Sequence, residues 1–117
     1  MMNIISREAL KKKLDCGDDL KLVMALDRRA YEKMHIPGSL HFANIMETVK
    51  SLHPEDEVVV YCSNPKCPVS IHAYYALVRY GFRHVSRFAG GLDEWLEAGY
   101  PLEGSMIQQT ETVNNME

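Results

Sequence analysis

Apolar positions along this chain alternate between stretches that suit strands and stretches that suit helices. Leu20 to Leu26 contains the unbroken run Leu22-Val23-Met24-Ala25-Leu26, and Glu57 to Tyr61 contains Val58-Val59-Val60-Tyr61. Runs of this kind fit strands covered on both faces, as in a parallel sheet. His84 to Phe88 reads as a last strand, and Leu40 to Ala43 as a short one with a weaker pattern. Between them lie helical segments with their own start and stop signals. Ser6 caps Arg7 to Leu14, with Glu8 in the first turn, and Asp27 caps a short helix through Lys33. Ile45 to Leu52 is a third helix. Pro68 suits the first position of a fourth, which runs to Tyr80 and stops at Gly81. That helix carries Val69, Ile71, Ala73, Tyr74, Ala76, Leu77 and Val78, so little of its surface is polar and deep burial is expected. Gly90-Gly91 turns the chain into a fifth helix, Leu92 to Ala98, which Gly99 ends. Cys16-Gly17-Asp18-Asp19, His35-Ile36-Pro37-Gly38-Ser39 and His53-Pro54-Glu55-Asp56 are turns. Strands alternating with helices predict an α/β domain with a small, mainly parallel central sheet flanked by helices.

Composition narrows the class without choosing the chemistry. The chain has 117 residues, 46% hydrophobic and 25% charged, the balance of one soluble globular domain. Residues 1–104 form that domain, and residues 105–117 read as a polar, loosely ordered tail. There is no internal repeat and no linker. A net charge of −3 gives no reason to expect nucleic acid as a partner, and no apolar stretch is long enough for a membrane span. Met1-Met2-Asn3-Ile4-Ile5-Ser6 lacks the basic start and apolar core of a signal peptide, so a cytoplasmic location is expected. There Cys16, Cys62 and Cys67 are mostly reduced, and any disulfide is catalytic or regulatory.

Cys62 changes the picture most. It follows Val58-Val59-Val60-Tyr61 directly and opens the loop Cys62-Ser63-Asn64-Pro65-Lys66-Cys67-Pro68, ahead of a helix. In parallel sheets reactive groups gather at the carboxyl ends of strands, next to helix N-termini. A cysteine placed there gains from the helix dipole and from unpaired loop N–H groups, both of which favour a thiolate. The expectation is an ionised sulfur nucleophile ringed by amides. The plain alternative is an inert thiol at a strand end.

The matching residues extend beyond the loop. His35-Ile36-Pro37-Gly38-Ser39, Val58-Val59-Val60-Tyr61-Cys62, Gly81-Phe82 and above all Gly90-Gly91-Leu92-Asp93-Glu94-Trp95-Leu96-Glu97-Ala98-Gly99-Tyr100-Pro101 make the chain resemble a single-domain rhodanese over roughly residues 4–103. The resemblance implies a rhodanese-like three-layer α/β fold. It also implies a sulfurtransferase that holds a sulfane sulfur as a persulfide on the loop cysteine, here Cys62. Three departures stand out. Met24 and Leu26 occupy the positions where the family commonly has an Asp and an Arg, with Asp27 and Arg28 out of register. The loop is about two residues longer than the commonest form and carries a second cysteine, Cys67. Pro65 and Pro68 remove two amide donors.

The implied reaction takes sulfur from thiosulfate, polysulfide or a persulfide donor to a thiophilic acceptor, a small thiol or a protein. It needs no cofactor and no metal. The backbone N–H groups of Ser63, Asn64, Lys66, Cys67, Val69 and Ser70 are the expected cradle for the Cys62 persulfide. Lys66 either recruits an anionic donor or is a solvated loop charge. Ser70 either donates its hydroxyl to the sulfur or bonds its own helix backbone. Cys67 either resolves the persulfide as a disulfide or only packs in the loop. His35 is assigned to its turn, Trp95 to the core, Cys16 to a bystander loop, and Arg79, Arg83 and Arg87 to a solvated face. A phosphatase of the Cys-x5-Arg kind would need an Arg where Pro68 stands, and a structural zinc site would need a second cysteine pair. Two other readings stay open beside the enzyme: a non-enzymatic rhodanese-like binding or regulatory module, and a Cys62/Cys67 dithiol redox protein.

Overall fold

The computed structural model of the chain describes residues 2–64 and 66–105. Its elements run α1 (Arg7–Asp15), β1 (Leu20–Met24), α2 (Arg28–Lys33), α3 (Ile45–Ser51), β2 (Glu57–Tyr61), α4 (Val69–Arg79), β3 (His84–Phe88) and α5 (Gly91–Glu97). The three strands form one parallel sheet in the order β1-β2-β3, with Met24, Tyr61 and Phe88 in register at its carboxyl edge. The continuous apolar run of β2 is explained by its central place: Val58, Val59, Val60 and Tyr61 are all 0% exposed. Val59 and Tyr61 enter one core with Leu10, Met24, Phe88, Leu92 and Trp95. Val58 and Val60 enter the other, with Leu52, Tyr74, Leu77, Phe82 and Val85. The sheet is thus the middle of three layers, with α1 and α5 on one face and α3 and α4 on the other.

The two capping signals hold in detail: Ser6 Oγ accepts from the Ala9 N–H at 3.1 Å and Asp27 Oδ1 from the Ala30 N–H at 2.8 Å. Asn44 adds a third cap, its Oδ1 accepting from the Glu47 N–H at 2.9 Å. The His35–Ser39 turn is locked onto the end of β2. The Tyr61 hydroxyl accepts from the Ile36 N–H and donates to Ser39 Oγ, both at 3.0 Å. Burial pushes the Tyr61 phenol up to about 12, so it stays a donor at any working pH. His35 serves the same turn, as its sequence position suggests: Nδ1 lies 2.7 Å from the Tyr31 carbonyl and the ring stacks on Tyr31 at 4.0 Å.

Three expectations about elements are corrected. β1 ends at Met24 and not at Leu26, because Asp27 is already committed to capping α2. The strand expected over Leu40 to Ala43 is a single bridge between Leu40 and Val23. Pairing stops there because the His41 ring bonds the Leu26 carbonyl at 2.8 Å and Asn44 turns to cap α3. α4 is not deeply buried: Ser70, Tyr74 and Leu77 face inward, whereas Tyr75, Val78 and Tyr80 are 46–49% exposed. The spacing of its inward residues is that of one helical face, and its remaining apolar side chains lie outside that face. The tail expected over residues 105–117 falls, from residue 106 on, outside the described residues.

Candidate active site

The loop that opens with Cys62 is held from behind by α5. The Leu92 N–H donates to the Cys62 carbonyl at 3.0 Å and the Asp93 N–H to the Ser63 carbonyl at 2.9 Å. Gly91 makes this approach possible. Its φ of +63° is disfavoured for other residues, and a Cβ there would collide with the Cys62 carbonyl oxygen and lie 2.8 Å from the Ser63 carbonyl carbon. Gly90-Gly91 therefore serves the site as well as the turn.

The side chains converge on two sulfurs. Cys62 is 1% exposed, and its Sγ lies 3.3 Å from Ser70 Oγ, 3.6 Å from the Cys67 carbonyl oxygen and 4.0 Å from the Asn64 carbonyl oxygen. Two of these three neighbours only accept hydrogen bonds and so favour the S–H form. Burial pushes the Cys62 thiol up, and its hydrogen bond to the Cys67 sulfur adds to the rise. The hydroxyl and N–H of Ser70 work the other way without cancelling it. Cys67 is partly exposed. Burial alone would raise its thiol, but the Cys62 S–H and the N–H groups of Val69, Ser63 and Ser70 outweigh burial, and it sits below its ordinary value. The expectation of an ionised Cys62 centred in an amide ring is thus corrected: burial and the two facing carbonyls hold the Cys62 thiol above its ordinary value, whereas the Cys67 thiol sits below its own.

The six predicted loop donors divide accordingly. Those of Ser63, Val69 and Ser70 help to lower the Cys67 thiol. The Lys66 N–H goes to Asn64 Oδ1 at 2.9 Å and the Cys67 N–H to the Asn64 carbonyl at 3.2 Å, so Asn64 shapes the loop and takes those donors out of the cradle. Lys66 is exposed at the rim. α4 begins at Val69, and Pro68 at its N-cap position supplies no side-chain cap, so no side chain takes its first N–H groups. Cys16 is exposed and lies at the end of α1, away from the loop.

Arg87 belongs to the site, although sequence reasoning assigned it to a solvated face. It is 6% exposed, and its Nε donates to Ser70 Oγ at 2.8 Å, so guanidinium, hydroxyl and Cys62 sulfur form one buried chain. Its backbone is fixed by the N-terminal segment: the Arg87 N–H donates to the Asn3 carbonyl at 2.8 Å, and the Ile5 N–H donates to the Arg87 carbonyl at 3.0 Å. The signal in the sequence was an Arg inside a five-residue strand, next to Phe88. Neither Met24 nor Leu26 brings polarity to the site: Met24 is in the core, and Leu26 packs against it. Asp27 is used as a cap, and Arg28 pairs with Glu32 on the surface. A cavity of about 1160 Å³ opens beside the end of β1, lined in part by Leu26, Tyr31, His41, Thr48 and Ala73, and neither Cys62 nor Cys67 lines it.

Comparison with known proteins places this arrangement. Residues 6–98 match the model of the rhodanese-like domain. The chain is 29% identical over 93 residues to YrkF of Bacillus subtilis, a protein named as a candidate sulfur carrier, covering 78% of this chain and 49% of YrkF. It is 28% identical over 101 residues to an HTH-type transcriptional regulator of Mycobacterium tuberculosis, covering 85% of this chain and 44% of that protein. The chain thus spans about half the length, or less, of these curated relatives. The solution structure of the rhodanese-like domain of an Anabaena protein superposes with a TM-score of 0.78 at 30% identity, covering 91% of this chain and 82% of that one. Fold, loop and matched span agree, and the chain belongs to the rhodanese-like domain family.

Proposed function

We propose that this protein is a rhodanese-type sulfurtransferase. It takes a sulfane sulfur from thiosulfate, polysulfide or a persulfide, holds it as a persulfide on Cys62, and passes it to a thiophilic acceptor. Sulfur transfer is supported at family level by the rhodanese-like match and the sulfur-carrier relative. The observation that carries the reading is Cys62 itself, at the carboxyl end of the central strand, 3.3 Å from Ser70 Oγ and beside a helix start without a side-chain cap. When Cys62 is charged with sulfur, the Ser70 hydroxyl can turn its proton to the sulfur while its oxygen keeps the Arg87 Nε–H, which steadies the anion. Lys66 at the rim supplies positive charge toward an anionic donor.

The test is to incubate the protein with thiosulfate and, separately, polysulfide, remove excess donor, and map added mass by peptide. The expected result is one reductant-labile sulfur that rests on Cys62 in the wild type and moves to an added thiol, and no sulfur at position 62 in Cys62→Ser. A wild-type protein that gains no sulfur from either donor overturns the reading.

A dithiol redox role is the second reading, favoured by the close approach of the two cysteines, with Cys62 Sγ 3.6 Å from the Cys67 carbonyl oxygen. Attack of the Cys67 thiolate on the inner sulfur of Cys62–S–SH would give the disulfide and release HS⁻. Reversible formation of a Cys62–Cys67 disulfide with no sulfur ever added would favour that role over transfer.

A further inference from the structure

The two sulfurs of the loop differ in what can reach them. Cys62 is 1% exposed, its Sγ enclosed by the Asn64 and Cys67 carbonyls and the Ser70 hydroxyl. Cys67 is partly exposed, next to the exposed Lys66 on the rim. The two residues are in contact, with Cys62 Sγ 3.6 Å from the Cys67 carbonyl oxygen. A donor approaching from solvent therefore meets the partly exposed Cys67 before the buried Cys62.

We propose that Cys67 is the entry thiol of a two-cysteine relay: it takes the sulfane sulfur from a persulfide donor and passes it inward to Cys62, which is the store. This rests on the sulfurtransferase reading and adds the order of events to it. In the first step the Cys67 thiolate attacks the outer sulfur of R–S–SH. A Cys67–S bond forms to that sulfur, the donor S–S bond breaks, and its electron pair leaves with RS⁻. The new persulfide loses its proton to solvent. In the second step Cys62 yields its proton to the Cys67 inner sulfur and attacks the outer one, so Cys62–SH and Cys67–S–S⁻ become Cys62–S–S⁻ and Cys67–SH. One S–S bond is broken and one formed in each step, so no oxidant or reductant is consumed. The lowered Cys67 thiol supplies the thiolate for the first step near neutral pH. The relay differs from resolution of a Cys62 persulfide, because it releases no sulfide and forms no disulfide.

The experiment uses glutathione persulfide as the probe on the full chain. Samples are quenched with an alkylating agent while donor is present, and sulfur is located by peptide mapping over time. In the wild type, sulfur is expected on Cys67 first and on Cys62 later. Cys62→Ser is expected to trap it on Cys67, and Cys67→Ser to load Cys62 at least about tenfold more slowly, the loss of a preformed thiolate. The wild-type time course carries the test even if a variant folds poorly. Sulfur on Cys62 from the earliest time point, with an unchanged rate in Cys67→Ser, overturns the relay and leaves the sulfurtransferase reading standing. A wild type that never gains sulfur overturns both.

Discussion

The carboxyl ends of β1 and β2 lie side by side in the sheet, and each feeds a helix, yet only the second carries a cysteine. At the end of β1, Met24 is sunk in the core and Asp27 turns its carboxylate onto the Ala30 N–H at 2.8 Å, capping α2 with the chain's own negative charge. At the end of β2 no side chain caps α4, and the Val69 and Ser70 N–H groups help to lower the Cys67 thiol. The two ends share a topology and differ in what satisfies the helix start. A strand end in a parallel sheet becomes reactive when those donors are left for something other than a resident carboxylate.

The sharpest way to break the contrast is to push the β2 loop out of place. Gly91→Ala puts a Cβ against the Cys62 carbonyl at a φ of +63°. It is expected to cost about 2–3 kcal/mol in urea unfolding and to abolish sulfur loading, combining backbone strain with a displaced loop. Next comes Ser70→Ala, which strips the buried Arg87 Nε–H of an acceptor and Cys62 of its hydroxyl. About 1–3 kcal/mol of stability is expected to be lost, with the Cys62 thiol pushed further up.

A third variant gives β2 the ending that β1 has. Pro68→Asp supplies a carboxylate that takes the Ser70 and Ile71 N–H groups, as Asp27 takes the Ala30 N–H, and repels the thiolate. Alkylation of Cys67 by iodoacetamide at pH 7 is expected to slow about tenfold, a change of about 1.4 kcal/mol. The same reagent sharpens the comparison by pH. Thiolate grows as pH rises, so the lowered thiol titrates first: the wild-type profile should inflect below an ordinary cysteine, at Cys67. In Cys67→Ser only the buried Cys62 is left in the loop, and its inflection should lie above the ordinary value. The reverse order would undo the assignment. The smallest effect is expected at the other strand end. Asp27→Ala should cost about 1 kcal/mol, the loss of a cap, and leave sulfur loading unchanged.

Much of this was legible in the sequence because it is local. The bounds of β2 and β3 follow from apolar runs ending at turns, and the caps at Ser6 and Asp27 from one side chain reaching a backbone three residues on. Cys62 at a strand end followed from the same pattern. What was not legible is directional. Which amides the loop keeps for itself depends on the torsions around Asn64, which draws the Lys66 and Cys67 N–H groups to itself. Arg87 was misplaced because its burial depends on two distant parts of the chain, residues 3–5 along its strand and Ser70 on α4. The exposure of Tyr75, Val78 and Tyr80 was missed because apolar content says how much could be buried and not how much of the helix the sheet can cover.

The clamp around Tyr61 and Cys62 also limits how the site can move. The Tyr61 phenol is tied to Ile36 and Ser39, and the next two carbonyls are tied to α5. The main chain under the inner cysteine is therefore a fixed mount. On the proposed reaction, a sulfur held by Cys62 travels only as far as rotations about the Cα–Cβ and Cβ–Sγ bonds carry it, and the remaining distance must be closed by the visiting molecule or by the outer half of the loop.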